Sequence, residues 1–250
     1  MKKWLTLLCV LLLTLTMAGC TENMVLEETI FYPVSADIHS LDIRVGAADF
    51  VIRPADTFAV ESNLKYLTVS AADGVLQVQE KNRSGGQYNN PVLTLYMPEN
   101  MMFEAVRIET GAAKIKADSM TTKSLELKLG AGDVEIAKLT VEDSARIEGG
   151  AGKLSIADGA LRNLNLNMGV GELNLTAALL GENDLTFGVG SSNLTLLGSR
   201  EDYRLEIERG IGSIMVDGDS IGNIQNYGEG KNHVEIEGGV GSVDLSFREQ

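Results

Sequence analysis

Asp217, Asp219 and Glu229 gather in the polar stretch 217–233, and Asp133 and Glu135 alternate with apolar neighbours in an aliphatic run. Either group has the composition of a general acid and base, which work only when held within hydrogen-bond reach of one substrate. A charged face turned to water explains the same residues more simply, because carboxylates on the wet side of a strand need no partner. The histidines, His39 and His233, lie far apart beside a strand start and a loop end, so each reads as a solvated or turn residue rather than a metal ligand. Serines are many, but no Gly-x-Ser-x-Gly elbow precedes a helix pattern, so a nucleophile–base pair is not expected. Close-set glycines suggest phosphate binding, yet a phosphate loop must open onto a helix N-terminus, and every glycine cluster here runs into a strand pattern. Calcium-binding nonapeptide turns need Gly-Gly-x-Gly-x-Asp. Gly149-Gly150-Ala151-Gly152-Lys153-Leu154 ends in Leu where Asp is required, and Gly238-Gly239-Val240-Gly241-Ser242-Val243 ends in Val. No catalytic residue, metal site or cofactor is expected, and the chain is read as not an enzyme.

Cys20 has the strongest case for covalent chemistry. Residues 1–20 read MKKWLTLLCVLLLTLTMAGC, with Lys2 and Lys3 first, an apolar run from Trp4 to Met17, then Ala18 and Gly19. The run is shorter than the ~20 residues of a spanning helix and has the length of a signal-peptide core. It resembles a bacterial lipoprotein signal, in which a cysteine behind small residues is diacylated and becomes the new N-terminus; Met17 stands where leucine is usual. Two acyl chains, palmitate-like in length, anchor stably where one holds only marginally. Cys9 lies inside the segment to be removed, so the mature chain has no cysteine pair for a disulfide or a thiolate metal site. The expected place is outside the cytoplasm, lipid-anchored to the bacterial membrane.

Removing residues 1–19 takes away Lys2 and Lys3 and no acidic residue, so the formal charge moves from −14 to −16. That balance disfavours nucleic acid and anionic lipid headgroups as partners. The remaining length suits a single all-β domain.

The elements that position these residues come from an internal repeat. A glycine-led triplet recurs at Gly46-Ala47-Ala48, Gly111-Ala112-Ala113, Gly130-Ala131-Gly132, Gly150-Ala151-Gly152, Gly169-Val170-Gly171, Gly188-Val189-Gly190, Gly210-Ile211-Gly212 and Gly239-Val240-Gly241. From Gly111 to Gly188 the spacing is 19 or 20 residues, and the gaps after Gly46 and Gly210 are longer. Apolar residues alternate with polar ones on both sides of each triplet, as at Leu125, Leu127 and Leu129 before Gly130 and Val134 and Ile136 after it. Such alternation marks strands with one buried face. The parity slips across the triplet, so a bend at the glycines keeps both flanking runs pointed inward. A unit of ~20 residues cannot bury its apolar face alone, whereas stacked units share one core. The expected fold is all-β, a single-stranded β-helix or solenoid of about ten coils with glycine corners. The best helical candidate, Ala177 to Glu182, amounts to one turn at most. Residues 81–91 and 217–233 are expected to be exposed excursions. Residues 246–250 follow the last corner directly and are expected to leave that coil with an open edge, guarded by Arg248 and Glu249.

The triplets, together with PVLTLYMP at 91–98 leading into VRIETG at 106–111 and Asp202-Tyr203 leading into Gly210, resemble the bacterial putative-adhesin β-helix family, a cell-surface domain family of unknown function. The resemblance spans about residues 36–247 and implies a β-helix on the cell surface with no catalytic residues to carry over. The boundaries that follow are 1–19 for the lipoprotein signal peptide, 20–35 for the lipidated cysteine and tether, and 36–250 for the solenoid. The expected role is a non-catalytic, adhesin-like interaction or structural module. An envelope-stress sensing component is the alternative, and a carbohydrate-active enzyme ranks below both. Expected partners are the membrane, reached through the lipid, a protein or glycan on the cell surface, and a second copy of the chain through the C-terminal edge.

Overall fold

The computed structural model describes residues 23–81, 86–222 and 224–249, so the signal segment and Cys20 lie outside the described residues. The strands in chain order are β1 (Val25–Pro33), β2 (Ser40–Pro54), β3 (Ala59–Leu64), β4 (Leu67–Ala72), β5 (Val75–Glu80), β6 (Val92–Met97), β7 (Met102–Ile156) and β8 (Gly159–Arg162). They continue with β9 (Leu164–Leu180), β10 (Glu182–Leu197), β11 (Tyr203–Glu208), β12 (Ile211–Val216), β13 (Asp219–Ile221), β14 (Ile224–Tyr227), β15 (Asn232–Glu237) and β16 (Val240–Arg248). All join one open sheet, with the central path β1-β3-β6-β2-β7-β8-β9-β10-β15-β11-β14. The chain is thus all-β and wound as a β-solenoid. The helical candidate, Ala177 to Glu182, is not helix: Ala177 to Leu180 end β9 and Glu182 opens β10, with Ala177 opposite Leu196 in the next coil. An apolar face at Ala177 and Leu179 is worth more against a stacked neighbour than in an isolated turn. Among the described residues one 3-10 turn occurs, at Arg200–Asp202.

Stacking is parallel and in register. Leu166, Leu185, Ile236 and Ile207 are successive neighbours, as are Leu173, Ser192, Val243 and Ile214. Apart from Ser192, a buried polar residue, they belong to one continuous aliphatic core. Parallel stacking brings like residues together, so a narrow interior fills with ladders of Leu, Ile and Val and needs few aromatics.

The order of stacking departs from the order in sequence at both ends. At the C-terminal end β15 and β16 lie between β10 on one side and β11 and β12 on the other. At the N-terminal end β2 lies between β7 and the pair β5 and β6. Each end is closed by antiparallel arms: β4 on β5 and β3 on β6 at one, β13 on β12 and β14 on β11 at the other. The long gaps after Gly46 and Gly210 hold these arms and the chain that doubles back.

Three expectations change accordingly. The terminal coil is an inner coil: Val240 to Leu245 have a strand on each side, and Asp217 N–H and the Arg248 carbonyl continue the bonding to Leu245 and Gly198. Beyond Leu245 the pairing with β12 stops: Ser246 to Arg248 keep β10 on one side, and on the other the Phe247 N–H donates to Asp217 Oδ1. The stretch 217–233 carries β13 and β14 rather than being wholly an exposed loop. The expected tether, 20–35, is sheet over most of its described part, with Ile30 to Pro33 paired to β3.

Candidate functional site

The described residues bring none of the weighed carboxylate or histidine sets to one point, and no grouping of His, Cys, Asp and Glu among them could hold a metal ion. Asp217 opens a turn at φ 50° and accepts a 3.2 Å bond from the Phe247 N–H, so it completes the edge of β16. Asp219 and Glu229 are exposed. Asp133 and Glu135 lie on the outer face of β7. His39 is exposed against Gly74, where a Cβ would collide with its ring. His233 is half-buried between neighbouring coils, with Nδ1 3.0 Å from Glu182 Oε2 and Nε2 3.8 Å from Glu206 Oε2.

What the fold makes of its polar residues is columns. Each outward position stacks on its equivalent in the next coil about 4.8 Å away. The first column runs Asp42, Arg107, Glu126, Arg146, so every charge faces its opposite. Arg107 approaches Glu126 to 3.2 Å and Lys128 does so to 2.8 Å. The Lys128 hydrogen bond is the main cause that holds the Glu126 carboxyl below its ordinary value; burial, next in size, opposes it, and the charges of Arg107, Lys128 and Arg146 add to it. A second column pairs Asp49 with Lys114 and Lys153 with Glu172, the latter pair at 3.1 Å. Hydrogen bonds from Asn174 and then Lys153 hold Glu172 below its ordinary value too.

Toward the C-terminal end the alternation stops. The first column continues as Asn165, Asp184, Glu235 and Glu206. The adjacent outward column continues as Thr186, Glu237 and Glu208. Glu235 thus has a carboxylate in register on each side. The column through Glu172 continues as Ser191, Ser242 and Ser213.

The middle residues of the glycine triplets form a further column, and they face solvent. Val170, Val189, Val240 and Ile211 are neighbours in that order and are 54, 50, 48 and 76 % exposed. Alanines take the place in earlier coils, with Ala47 opposite Ala112 and Ala151 opposite Val170. Apolar in sequence, these residues fit the inward alternation, but the bend throws them out. Physical cause lies in the third residue of the triplet: Gly171 and Gly190 have φ of 146°, and a Cβ at Gly190 would strike the Gly171 carbonyl oxygen. The result is an aliphatic ridge that grows from alanine to isoleucine toward the C-terminal end, beside the Glu237 and Glu208 column.

Residues that sequence reasoning passed over hold the opposite bend. Buried Asn183 accepts from the Leu164 N–H at 3.1 Å and donates to the carbonyls of Gly181 and His233 at 3.2 and 2.9 Å. Asn163 and Asn232 make equivalent links, accepting from the backbone N–H of Glu182 and Gly181. The signal was an asparagine recurring before Leu164, Asp184 and His233. At the N-terminal end buried Glu80 accepts from the Gly46 N–H at 2.7 Å and from Tyr88 Oη at 2.9 Å, giving that triplet the acceptor a further coil would supply. At the C-terminal end Tyr203 is buried and donates to the Leu197 carbonyl at 2.7 Å, and burial raises its phenol above the ordinary value.

Comparison with known proteins adds the following. A family model described as Toastrack DUF4097 matches residues 59–246. No curated protein matches the sequence. Among solved structures, a putative adhesin from Bacteroides fragilis superposes with a TM-score of 0.51 at 13% identity, over 89% of this chain and 99% of that one. A putative lipid binding protein from Parabacteroides distasonis has a TM-score of 0.40 at 13% identity, covering 90% and 99%. The Bacteroides fragilis protein shares the fold of this chain.

Proposed function

The chain belongs to the Toastrack DUF4097 family, and from that premise we propose a non-catalytic, adhesin-like interaction module displayed at the bacterial cell surface. The observation that carries the reading is the exposed aliphatic ridge, since monomeric proteins rarely leave aligned large apolar side chains in water without a use for them. The columns beside it fit the same role: in-register stacking repeats each outward position along the molecule, which makes an extended display surface rather than a cleft. The name putative adhesin carried by the Bacteroides fragilis structure agrees with it. The finer architecture in this reading is a single-stranded solenoid of about ten coils that bends at glycine corners, supported by the stacked pairs Gly171–Gly190, Gly190–Gly241 and Gly212–Gly241. Among the described residues no helix is long and apolar enough to cross a membrane.

Attachment in this reading is through a diacylated Cys20 after removal of residues 1–19. Asn23 bridges Gln87 and the Met24 N–H donates to the Gln87 carbonyl, at the end of the solenoid remote from the ridge. A short span from Cys20 to Asn23 would keep that end at the bilayer and hold the ridge outward. Cells fed an alkyne fatty acid should label the wild-type chain and not Cys20→Ser, and label on the variant would remove the anchor. Surface biotinylation of intact cells tests display, and protection of the wild-type chain from the reagent would remove the surface role.

A further inference from the structure

Resting on the surface-module reading, we propose that the C-terminal end binds a cationic segment of a partner polypeptide that carries aliphatic side chains. The ridge supplies the apolar half of the site. Val170, Val189, Val240 and Ile211 stand in a row at intervals of about 4.8 Å, with glycines on either side, so an extended segment can lie against them without meeting other side chains. The charge complement is set by the adjoining face. Asp184, Glu235 and Glu206 stack on one another, and Glu237 stacks on Glu208 two residues before the glycine triplets, with Gly238 and Arg209 between. Elsewhere the same positions alternate in sign, which stabilises stacked strands, whereas like charges in register oppose stacking. The end therefore keeps a repulsive arrangement that a bound cation would relieve.

Of the positive groups nearby, Arg209 lies beside the ridge between Glu208 and Gly210, one cation against the five carboxylates of the two columns. His233 lies between Glu182 and Glu206, and Arg204 is in register with His233 on the inner side of the acidic columns. A second copy of the chain is the poorer occupant, because ridge-to-ridge contact would set one acidic face beside another in a protein of formal charge −14. A nucleic acid meets the same repulsion. A polypeptide with lysine or arginine alternating with valine or leucine matches both halves, since alternate side chains of an extended strand face opposite ways.

The test uses the full chain in mild detergent and three fluorescent twelve-residue peptides: alternating Lys-Leu, alternating Lys-Ser and alternating Glu-Leu. Anisotropy titrations across a salt series are run on the wild type, on a ridge variant (Val189→Ser, Val240→Ser, Ile211→Ser), and on an acid variant (Glu235→Gln, Glu206→Gln, Glu208→Gln). Asp133→Asn with Glu135→Gln serves as the control on another face. Lys-Leu should bind best, the ridge variant should weaken it about tenfold or more, and the acid variant should weaken it about tenfold and flatten its salt dependence. The control should stay within about twofold. All substituted side chains are at the surface, and unchanged circular dichroism and melting confirm folding. Equal binding of Lys-Ser, tighter binding of Glu-Leu, or indifference of Lys-Leu to both variants overturns the proposal. So does a wild-type dimer in sedimentation that the ridge variant abolishes, which makes a second copy the occupant, or displacement of Lys-Leu by millimolar calcium at constant ionic strength. Surface biotinylation of the same strains separates the two levels: a displayed chain that fails the peptide test loses only the partner assignment, while a chain that is never displayed loses the surface reading itself.

Discussion

The coils around β7 and the coils at the C-terminal end share one backbone plan and differ in what they show to water. Around β7 the outward columns alternate in sign, Arg107 against Glu126 and Lys153 against Glu172, and the ridge positions are alanine. At the C-terminal end the equivalent columns read Asp184, Glu235, Glu206, and the ridge positions are valine and isoleucine. Burial of aliphatic ladders is common to both regions and holds the stack together. The outer faces are free to vary, and they do: charges of opposite sign alternate in the middle, and carboxylates stack in register at the end.

The largest effects are expected where the two regions share their backbone plan. Gly132 in the middle and Gly241 at the end both have positive φ, 124° and 143°, and a Cβ at either would strike a carbonyl of the neighbouring coil, Ala113 or Gly190. Valine at either site adds backbone strain to steric overlap and should cost about 3–5 kcal/mol or prevent folding. Ser155→Val, on an outward strand position, should stay within about 0.5 kcal/mol. Denaturant unfolding measures all three. A native-like Gly241→Val would show that β16 does not stack on β10, and the intercalated order of the end would fall with it.

Asn183 sits where the two regions meet, bonding β9 to β10 and β10 to β15. Asn183→Ala leaves a buried N–H and two carbonyls short of partners, at about 2–3 kcal/mol. Because solenoid coils touch only their neighbours, the loss should be local. Hydrogen exchange should accelerate across β11, β12, β15 and β16 and leave residues 105–136 protected. Uniform acceleration would mean that the end and the middle unfold as one unit.

These two predictions rest on features of unequal visibility in sequence. Alternation around Leu125 and Leu127, and the spacing of the triplets, reveal strands in register because burying one face imposes a period of two and stacking imposes a period of one coil. Neither period contains the order of the coils. Residues 232–248 match β10 equally well whether they lie next to it or beyond β11 and β12, and only the pairing of Val189 with Val240 decides. The ridge is hidden in the sequence for a related reason: Val170 and Val189 are apolar at the spacing of buried residues, and only the glycine geometry turns them outward. The acidic end was invisible because Asp184, Glu206 and Glu235 are ordinary strand carboxylates until the stacking order makes them neighbours. Part of the described tether was missed because Ile30 to Pro33 pair with a strand that is itself a cap, outside the repeat.

Exchanging single charges sharpens the comparison further. Glu235→Lys would place a cation between Asp184 and Glu206 and give the end the alternation of the middle. It should stabilise by about 0.5–1 kcal/mol, less at high salt. Glu126→Lys would place a cation against Arg107, Lys128 and Arg146 and should destabilise by a similar amount. Opposite signs in unfolding midpoints are expected, and the Glu235→Lys variant should also lose the Lys-Leu peptide. A loss of stability in both variants would show that the acidic columns are satisfied as they stand.

The smallest effect is the pH dependence that the alternating columns impose on the middle coils. Glu126, Glu172 and Glu104 are all held below the ordinary carboxylate value, chiefly by hydrogen bonds from Lys128, from Asn174 and Lys153, and from Lys123. A carboxyl whose folded value is depressed binds fewer protons folded than unfolded. Its contribution to stability is therefore complete above the unfolded value, about 4.3 for glutamate, and disappears as pH falls through the folded value. Wild type should be more stable than the triple variant Glu104→Gln, Glu126→Gln, Glu172→Gln at pH 7. The two should converge as pH falls below about 4, because the wild-type carboxyls then also carry protons. These groups lie at the surface, where water screens the attraction, so the difference at pH 7 should be small and shrink with added salt. Urea midpoints at several pH values measure it. A difference that persists unchanged at low pH would mean that these side chains stabilise the middle coils by packing rather than by charge, and the contrast with the acidic end would then need another cause.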